Sequence, residues 1–436
     1  MAYTFNIITL GCKVNQYESE AIEEIFLKKG YKKSIHHADI YVINTCTVTN
    51  MSDRKSRQMI SRARKDNPDA IIAVMGCYSQ VKPEEVSEIP GVDIVLGSRN
   101  KENVVDLCED ILQNKNAQDK IILPSESKTF EELQISNQSQ MTRAYIKIQD
   151  GCNMYCSYCL IPYARGNIVS REISEIVSET ERLAANGFKE IVLTGIHVAS
   201  YGKDLGSDVS LINVIEEIAK VPEIKRIRLS SMEPRHITKD FLIRMKATGK
   251  ACDHFHLSLQ SGSDEILKAM NRKYDRKLYE EKCNLIREIF LNVGLTTDII
   301  VGFPTESEKN HRETIEFVEK IKFSKTHLFK FSPREGTKAA KMTGQINGNI
   351  KKQRLHDLEK IEEKNRMEFL QSQIGKTLEV LIESKSDYES YSSGYSTNYL
   401  KVNIKEIIPA NSLVNVKITD LLDDQLIGEI IYSLNA

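Results

Sequence analysis

Three cysteines lie close together near the middle of the chain, at Cys152, Cys156 and Cys159, directly after an apolar, strand-like stretch. Thiolates at this spacing can bind three irons of a cubane [4Fe-4S] cluster, whereas such clusters usually have four Cys ligands. The fourth iron would then be an open coordination position for a substrate or cofactor. A structural zinc site, which favours Cys-x-x-Cys pairs with a further ligand elsewhere, and buried free thiols are the alternatives. The spacing favours the cluster.

The composition limits the class of protein. A chain of 436 residues, 28% of them charged, is too long for one core and is expected to form about two to four domains. No apolar run approaches the ~20 residues that span a bilayer, and Met1 to Cys12 lacks the basic and apolar regions of a secretory signal. Nine cysteines, an odd number, argue against a disulfide framework. We therefore expect a cytoplasmic protein with reduced thiols and no membrane partner.

Residues 1–113 are predicted to form an open α/β sheet domain. Short, β-branched apolar runs predict buried strands at Thr4–Thr9, Asp39–Asn44, Ala70–Met75 and Val92–Leu96. Helices are predicted between them, including Glu18–Lys29 and Asp53–Lys65. This alternation of strand and helix is typical of a parallel sheet.

Three further cysteines each follow one of these strands: Cys12 the first, Cys46 the second and Cys77 the third. The carboxyl ends of parallel strands share one edge of a sheet, where α/β proteins bind ligands. We therefore expect the three thiols to meet and predict a second three-cysteine [4Fe-4S] cluster. Three unrelated buried cysteines are the alternative. Core packing is predicted for the remaining cysteines, Cys108, Cys252 and Cys283.

Residues 114–141 are mostly polar and are predicted to be a linker. Residues 142–373 contain six strand candidates separated by amphipathic helices, which indicates a partial (β/α)6 barrel that is open on one side. The strand candidates are Ala144–Ile148, Glu190–Thr194, Lys225–Ser230, His254–Leu259, Leu295–Val301 and Thr326–Phe331. Catalytic groups in such barrels come from the carboxyl ends of the strands, where the loop with Cys152 lies.

Parity assigns faces to two of these strands, because alternate residues of a strand point to opposite sides. In the fourth strand, Phe255, Leu257 and Leu259 are predicted to pack on helices. The residues predicted to line a site are His254, His256, Ser258 and Gln260, together with Thr296, Asp298 and Ile300 of the fifth strand.

Residues 374–436 are predicted to form a small antiparallel β-barrel after a long charged helix from Lys351 to about Gln373. Polar turns separate four predicted short strands, Thr377–Glu383, Tyr399–Ile404, Leu413–Ile418 and Leu426–Tyr432.

Together, these features resemble the radical S-adenosylmethionine (SAM) methylthiotransferases over essentially the whole chain. That family combines an N-terminal α/β domain with three cysteines, a radical SAM barrel and a C-terminal TRAM domain that binds RNA. Three segments are most similar to the branch acting on N6-threonylcarbamoyladenosine at position 37 of tRNA: Thr9–Ser19, Asn44–Thr49 and Leu193–His197. Sister branches, acting on isopentenyladenosine or a ribosomal-protein aspartate, carry different residues after the first cysteine. A non-catalytic, RNA-binding iron–sulfur redox sensor is the alternative from another class.

The resemblance implies roles for individual residues. The positions that match cluster ligands are Cys12, Cys46 and Cys77 for an auxiliary cluster, and Cys152, Cys156 and Cys159 for the catalytic radical SAM cluster. The positions that match SAM contacts are Thr194, Gly195, Ser231, Glu233, Gln260 and Ile300. One departure is Thr305, where many relatives have Gly after Phe-Pro.

The resemblance also implies two [4Fe-4S] clusters as cofactors, with SAM both as methyl donor and as the source of a radical. The C2–H bond of adenine is unactivated, so the cofactor rather than an acid or base must supply the difficult chemistry. The implied partners are the anticodon stem-loop of tRNA and an electron donor such as flavodoxin or ferredoxin. The sulfur donor is not identified by the sequence.

Charge gives two different indications about RNA binding. From Gln371 to Ala436 there are five Lys, no Arg, five Glu and four Asp, a net charge of −4, whereas phosphate-binding modules are normally basic. Four tyrosines there are candidates either for base stacking or for packing: Tyr388, Tyr391, Tyr395 and Tyr399. A better electrostatic candidate is the helix predicted from Arg54 to Lys65, with six positive charges. Solvated surface is the alternative for that helix.

Overall fold

The computed structural model describes residues 3–113, 121–124, 128–136, 142–206, 208–385 and 390–432. Its first unit is an all-parallel, six-stranded sheet with the order β2-β1-β3-β4-β5-β6. The strands are β1 (Thr4–Thr9), β2 (Lys32–Lys33), β3 (Ile40–Thr45), β4 (Ile71–Gly76), β5 (Ile94–Leu96) and β6 (Ile121–Leu123). The helices are α1 (Lys13–Lys28), α2 (Asn50–Asp66), α3 (Cys77–Val81), α4 (Pro83–Ser87) and α5 (Val104–Gln113). The predicted α/β sheet is therefore confirmed.

Part of the predicted linker 114–141 has regular or buried structure. Its apolar run Ile121–Leu123 forms β6, which pairs in parallel with β5. Leu133 and Ile135 are buried beside α1, and the Leu133 carbonyl accepts a hydrogen bond of 2.6 Å from the Tyr17 hydroxyl. These short apolar groups had been obscured by the polar composition around them. The rest of the linker, residues 114–120, 125–127 and 137–141, lies outside the described residues.

The second unit is the predicted open barrel. Its strands are β7 (Arg143–Asp150), β8 (Val169–Ser170), β9 (Glu190–Gly195), β10 (Arg226–Leu229), β11 (His254–His256), β12 (Gly294–Val301) and β13 (Lys325–Lys330). Its helices are α6 (Ile161–Arg165), α7 (Ile173–Ala185), α8 (Leu211–Ala219), α9 (Lys239–Ala247), α10 (Asp264–Ala269), α11 (Arg276–Ile289), α12 (Glu308–Ile321) and α13 (Gly348–Gln371).

Parallel pairing joins six of the barrel strands into two groups of three, β10-β9-β7 and β11-β12-β13. Single parallel bridges, Ile227 to Ala251 and Met232 to Leu257, connect the two groups between β10 and β11. The short strand β8, which the sequence analysis did not predict, pairs antiparallel with the end of β7. Strands β8 and β13 lie at the two edges, so the barrel is open between them.

The strand predicted at His254–Leu259 is shorter in the structure, because β11 ends at His256, but the predicted parity of this segment and of β12 is confirmed. Phe255, Leu257 and Leu259 are completely buried in the main hydrophobic core. On the opposite face, the two ring nitrogens of His256 lie 2.9 Å from Thr296 Oγ1 and 3.2 Å from Asp298 Oδ2. Apolar residues therefore face the helices and polar residues face the barrel interior.

The third unit is a closed five-stranded barrel with the order β14-β15-β16-β18-β17. Its strands are β14 (Thr377–Lys385), β15 (Ser392–Ser396), β16 (Lys401–Ile404), β17 (Leu413–Leu422) and β18 (Gln425–Ile430). Two details differ from the prediction. The run Ser-Ser-Gly-Tyr-Ser of β15, poor in strand-forming residues, was not predicted as a strand. The pair β16–β18 is parallel, whereas the other four pairs are antiparallel.

The turn between β15 and β16 inserts into the amino-terminal end of the large barrel. The Tyr399 ring lies 4.7 Å from the Arg228 guanidinium and 5.2 Å from that of Arg143. It also stacks on Tyr395, with 5.1 Å between ring centroids. Cation–π contacts of this kind are strongest when they are shielded from water. The small barrel is therefore docked at the end of the large barrel opposite to the cysteine loop.

Candidate functional site

The N-terminal cysteines meet as predicted at the carboxyl edge of the first sheet. Cys12 precedes α1 as its N-cap, Cys46 follows β3, and Cys77 is the first residue of α3 directly after β4. Because β1, β3 and β4 are adjacent, their ends bring the three thiols together. Burial and the neighbouring Cys77 thiol raise the pKa of Cys46 to about 11. Cys12 is exposed, whereas Cys46 and Cys77 are buried.

Two glycines allow this close approach of the loops. Gly11 has φ +102°, and a Cβ there would lie 2.8 Å from Cys46 Sγ. Gly76 has φ +106°, and its Cβ would lie 2.6 Å from the Thr45 carbonyl oxygen. Residues with a side chain rarely adopt such backbone angles. Glycine is therefore required at both positions, because of the positive φ and because a Cβ would clash with the neighbouring loop.

Arg165 of the barrel unit completes the N-terminal site. Its Nε–H donates to Cys77 Sγ at 3.4 Å, and its other nitrogens donate to Asn15 Oδ1 at 2.7 Å and Glu18 Oε1 at 2.9 Å. Burial opposes ionisation of Glu18, but Arg165, Lys101 and Lys147 hold its pKa well below the ordinary value. The site thus has a buried ionic network beside a thiol. Sequence analysis assigned no role to Arg165, because only the fold brings it to Cys77.

The second triad lies in the loop between β7 and α6. The Cys159 amide donates to the Cys156 carbonyl at 3.0 Å, and the Cys152 amide donates to the Gly166 carbonyl at 3.0 Å. Arg272, after α10, donates an N–H to Cys156 Sγ at 3.3 Å. Burial raises the pKa of Cys159 to about 12. The loop is therefore folded against the barrel edge, with one cysteine sulfur receiving a guanidinium N–H.

The six predicted SAM-contact residues lie at or just beyond the carboxyl ends of strands at the same barrel edge. Thr194 and Gly195 end β9, and a Cβ on Gly195 would lie 2.8 Å from the carbonyl oxygen of Gln149, near the end of β7. Gln260 bonds through its backbone to β12, accepting from the Ile300 amide at 2.9 Å. Ile300 packs against an apolar cluster that Tyr158 of the cysteine loop also contacts. Ser231 is exposed at this edge, two residues after β10.

Among these residues, Glu233 is held by several hydrogen-bonding and ionic partners. It is buried and accepts hydrogen bonds of 2.5 and 3.0 Å from Arg235. His197 Nε2 and His236 Nε2 lie 3.7 and 3.6 Å from Glu233 Oε2. Burial opposes the charge, but His197, His236 and Arg235 hold the Glu233 pKa well below its ordinary value. These three partners were missed, although His197 belongs to the recognised Leu193–His197 segment.

The loop after β13 joins the two cysteine sites. The Ala339 amide donates to the Ser157 carbonyl at 2.7 Å beside the barrel triad. In the same loop, the buried Arg334 donates to Asp53 at 2.6 Å and to Thr47, the residue after Cys46, at 2.7 Å. Both triads therefore belong to one region of the molecule.

The thiolate chemistry of both triads fits iron–sulfur clusters. Each triad has three cysteines at one edge, and N–H donors to sulfur are a usual means of tuning such clusters. Among the described residues, no three His, Cys, Asp or Glu side chains are arranged to hold a single metal ion. That arrangement does not conflict with a cluster, because the thiolates of a cubane bind different irons.

The two candidate RNA-binding surfaces, helix α2 and the small barrel, differ in how exposed their side chains are. On α2, Arg54, Lys55, Arg62 and Lys65 are exposed, while Arg57 bonds to Glu85 and Arg64 to Asp93. In the small barrel, Tyr395 and Tyr399 are engaged in the contact with Arg143 and do not form an open stacking surface. Tyr388 lies outside the described residues. No helix in the described part of the chain is both long and apolar enough to cross a bilayer.

The barrel with its cysteine loop defines a radical SAM enzyme. Residues 146–318 match the radical SAM superfamily, and residues 4–97 match the uncharacterized protein family UPF0004. The fold is similar to that of TsrM from Kitasatospora setae, a radical S-adenosylmethionine methyltransferase, with a TM-score of 0.57, 14% identity and coverage of 78% of this chain and 77% of that one. At this identity the similarity concerns the fold alone.

Curated relatives define the family more narrowly. Threonylcarbamoyladenosine tRNA methylthiotransferase MtaB of Bacillus subtilis is 40% identical over 91% of this chain and 89% of its own length. MtaB of Aquifex aeolicus is 40% identical over 86% and 91%. The tRNA-2-methylthio-N(6)-dimethylallyladenosine synthase of Thermoanaerobacter sp. is 35% identical over 98% and 92%. The chain therefore belongs to the radical SAM tRNA methylthiotransferases, transferases that use a [4Fe-4S] cluster and SAM.

Proposed function

We propose that this enzyme adds a methylthio group to C2 of N6-threonylcarbamoyladenosine at position 37 of tRNA. The observation that carries the proposal is the 40% identity, over most of both chains, to two relatives named for that substrate. The segment from Thr9 to Ser19, which surrounds the first cysteine, supports the same branch. Modification of dimethylallyladenosine is the second candidate, because a relative named for that product is aligned over 98% of this chain.

We propose the two triads as ligands of two separate clusters. Cys152, Cys156 and Cys159 would hold the radical SAM cluster, and Cys12, Cys46 and Cys77 the auxiliary one. When bound, these clusters and SAM supply the radical and sulfur-transfer chemistry that side chains alone cannot. The protein's own contribution is to place both sites on one face and to supply the thiolates. The loop with Arg334 fixes their relative position through Asp53.

The edge formed by β9 to β12 is the proposed SAM pocket. The ionised Glu233 can accept hydrogen bonds from a ligand, since Arg235 and the two histidines keep it charged even when it is buried. Gly195 gives a close backbone surface at the end of β9, and Ile300 offers an apolar contact. Thr194, Ser231 and Gln260 would complete the polar lining.

Helix α2 is the proposed RNA-binding surface. Its exposed basic side chains lie on the helix that begins four residues after Cys46, so phosphates bound there would bring a nucleotide near the auxiliary site. Phosphate contacts of this type position RNA without reading its sequence. The acidic small barrel lies at the opposite end of the large barrel and is a poorer electrostatic match.

Nucleoside mass spectrometry tests the substrate. A strain lacking this protein would be complemented with the wild-type chain or with Cys156→Ala, and its tRNA would be digested to nucleosides. We expect 2-methylthio-N6-threonylcarbamoyladenosine only with the wild-type chain. If the methylthio derivative of dimethylallyladenosine appears instead, the second candidate is correct. If neither appears, the proposed tRNA substrate is wrong.

A further inference from the structure

Arg165 has an unusual position between the two cysteine sites. It ends α6, six residues after Cys159, and is only 1% exposed. From there its side chain crosses to the first unit and donates Nε–H to Cys77 Sγ at 3.4 Å. The same short segment therefore follows one triad and contacts a sulfur of the other.

Acceptors from both units hold the guanidinium in this orientation. Glu18 of α1 accepts from it at 2.9 Å, and Asp150, two residues before Cys152, accepts at 3.0 Å. Asn15 accepts at 2.7 Å and in turn donates to the carbonyls of Leu10 and Thr45, which precede Cys12 and Cys46. Arg165 is thus connected to all three loops of the N-terminal triad: to the Cys77 loop directly, and to the Cys12 and Cys46 loops through the side chain of Asn15.

Network stability alone does not explain this arrangement. The carboxylates of Glu18 and Asp150 are also paired with Lys147, at 2.8 and 2.7 Å, so each has a second cation besides Arg165. The parallel contact, Arg272 to Cys156 at 3.3 Å, shows the same donor type at the other triad. Hydrogen bonds to cluster sulfurs raise the reduction potential, because they favour the more negative, reduced cluster.

We propose that Arg165 is a positioning residue for the auxiliary cluster. By donating to Cys77, Arg165 raises the reduction potential of this cluster and fixes the cluster relative to the radical SAM loop. This inference rests on the proposed second cluster at Cys12, Cys46 and Cys77. Lysine cannot replace Arg165 in this role. Its single ammonium lacks the planar fork of N–H groups with which the guanidinium contacts the sulfur, the amide and the carboxylates at the same time.

The test isolates the auxiliary cluster in the full-length chain with Cys152, Cys156 and Cys159 all changed to Ala. After anaerobic reconstitution, iron content and an EPR-monitored redox titration would be measured with Arg165 and with Arg165→Lys. We expect about four irons per chain in both and a lower midpoint potential in the lysine variant. A tenfold change in the reduced-to-oxidised ratio corresponds to 59 mV for a one-electron couple. The matched control is Arg272→Lys in the same background, which should leave this potential unchanged.

A second measurement needs no substitution at Arg165. Pulsed EPR of the reduced cluster in the triple-alanine chain labelled with ¹⁵N-arginine should show a ¹⁵N coupling that is absent from the unlabelled chain, whose nitrogen is ¹⁴N. An unchanged midpoint potential in Arg165→Lys, or no ¹⁵N-arginine coupling in the triple-alanine chain that retains Arg165, would overturn the inference while leaving the second cluster in place. An iron content near zero in the triple-alanine background would overturn the second cluster as well.

Discussion

The two cysteine triads bring three thiols together by different routes along the chain. The barrel triad fits within one loop, whose backbone carries left-handed residues at Gly151, φ +71°, and Tyr155, φ +47°. The N-terminal triad takes one thiol from each of three neighbouring strands, so that Cys12 and Cys77 are distant in sequence. The first arrangement depends on local conformation, and the second depends on the correct assembly of a whole parallel sheet.

The difference also appears in the surroundings of the thiols. Cys46 and Cys77 are 5% and 3% exposed, and a buried arginine from the other unit contacts Cys77. The barrel cysteines are all partly exposed at an edge that also carries the proposed SAM contacts. In the N-terminal triad Cys12 is exposed, so only the side with Cys46 and Cys77 is enclosed between the two units, where charges act in a low-dielectric environment.

Removing one cysteine from each triad should give the largest effects and separate the two sites. Cys156→Ala should abolish reductive SAM cleavage and methylthiolation, because both need the radical SAM cluster. Cys77→Ala should abolish methylthiolation but keep SAM cleavage, because its loop lies outside the barrel. Anaerobic reduction with SAM, followed by chromatography of 5′-deoxyadenosine and mass spectrometry of tRNA, measures both. Iron should fall from about eight to about four per chain in each variant.

The core thiol Cys108 provides the control for this pair. It is completely buried in the N-terminal core and lies away from both triads, so Cys108→Ala should keep both activities. SAM cleavage by Cys156→Ala would disprove the role of the barrel triad. Loss of SAM cleavage in Cys77→Ala would show that the two sites do not act separately.

The same contrast explains how far sequence analysis could go. The barrel triad, the strand alternation and the meeting of Cys12, Cys46 and Cys77 all followed from spacing and from the geometry of parallel sheets. The contacts of Arg165 and Arg334 did not, because each joins segments from different units and no local pattern marks an arginine as interfacial. For the same reason, docked tyrosines such as Tyr399 could not be distinguished from stacking residues.

Charge reversal on α2 should have the next largest effect and test whether the N-terminal unit also binds RNA. Arg62→Glu with Lys65→Glu removes two exposed positive charges, so tRNA affinity should fall and the salt slope should decrease by about 1 to 2. Filter binding over a salt series measures both. The matched control, Lys352→Glu with Lys360→Glu on exposed positions of α13, should change affinity much less. Equal effects of the two pairs would exclude a specific role for α2.

A half-buried carboxyl in α1, that of Glu20, allows a smaller, pH-dependent test of the N-terminal unit. Burial raises the pKa of Glu20 to about 7, and Gln16 donates to it at 3.2 Å. The folded state therefore binds a proton more tightly than the unfolded state, and this residue lowers stability as the pH rises from its ordinary pKa to about 7. Glu20→Gln should stabilise the protein at pH 8 but hardly at pH 4. Urea unfolding at both pH values measures this, and an equal gain at both would contradict the burial effect.

The smallest effect is expected at Thr305, in the barrel loop that departs from the family pattern. Its φ of +71° lies in the left-handed region, which costs a residue with a Cβ about 1–2 kcal/mol. Its amide nevertheless donates to the Gly344 carbonyl at 2.9 Å, so the loop keeps the shape that glycine would adopt. Thr305→Gly relieves the strain but adds about 0.5–1 kcal/mol of unfolded-state entropy. We therefore expect a gain below about 1 kcal/mol relative to Thr, and a gain also relative to Thr305→Ala, which keeps a Cβ at positive φ. Urea unfolding would rank the three chains, and an alanine variant as stable as the glycine variant would show that the backbone angle is not strained.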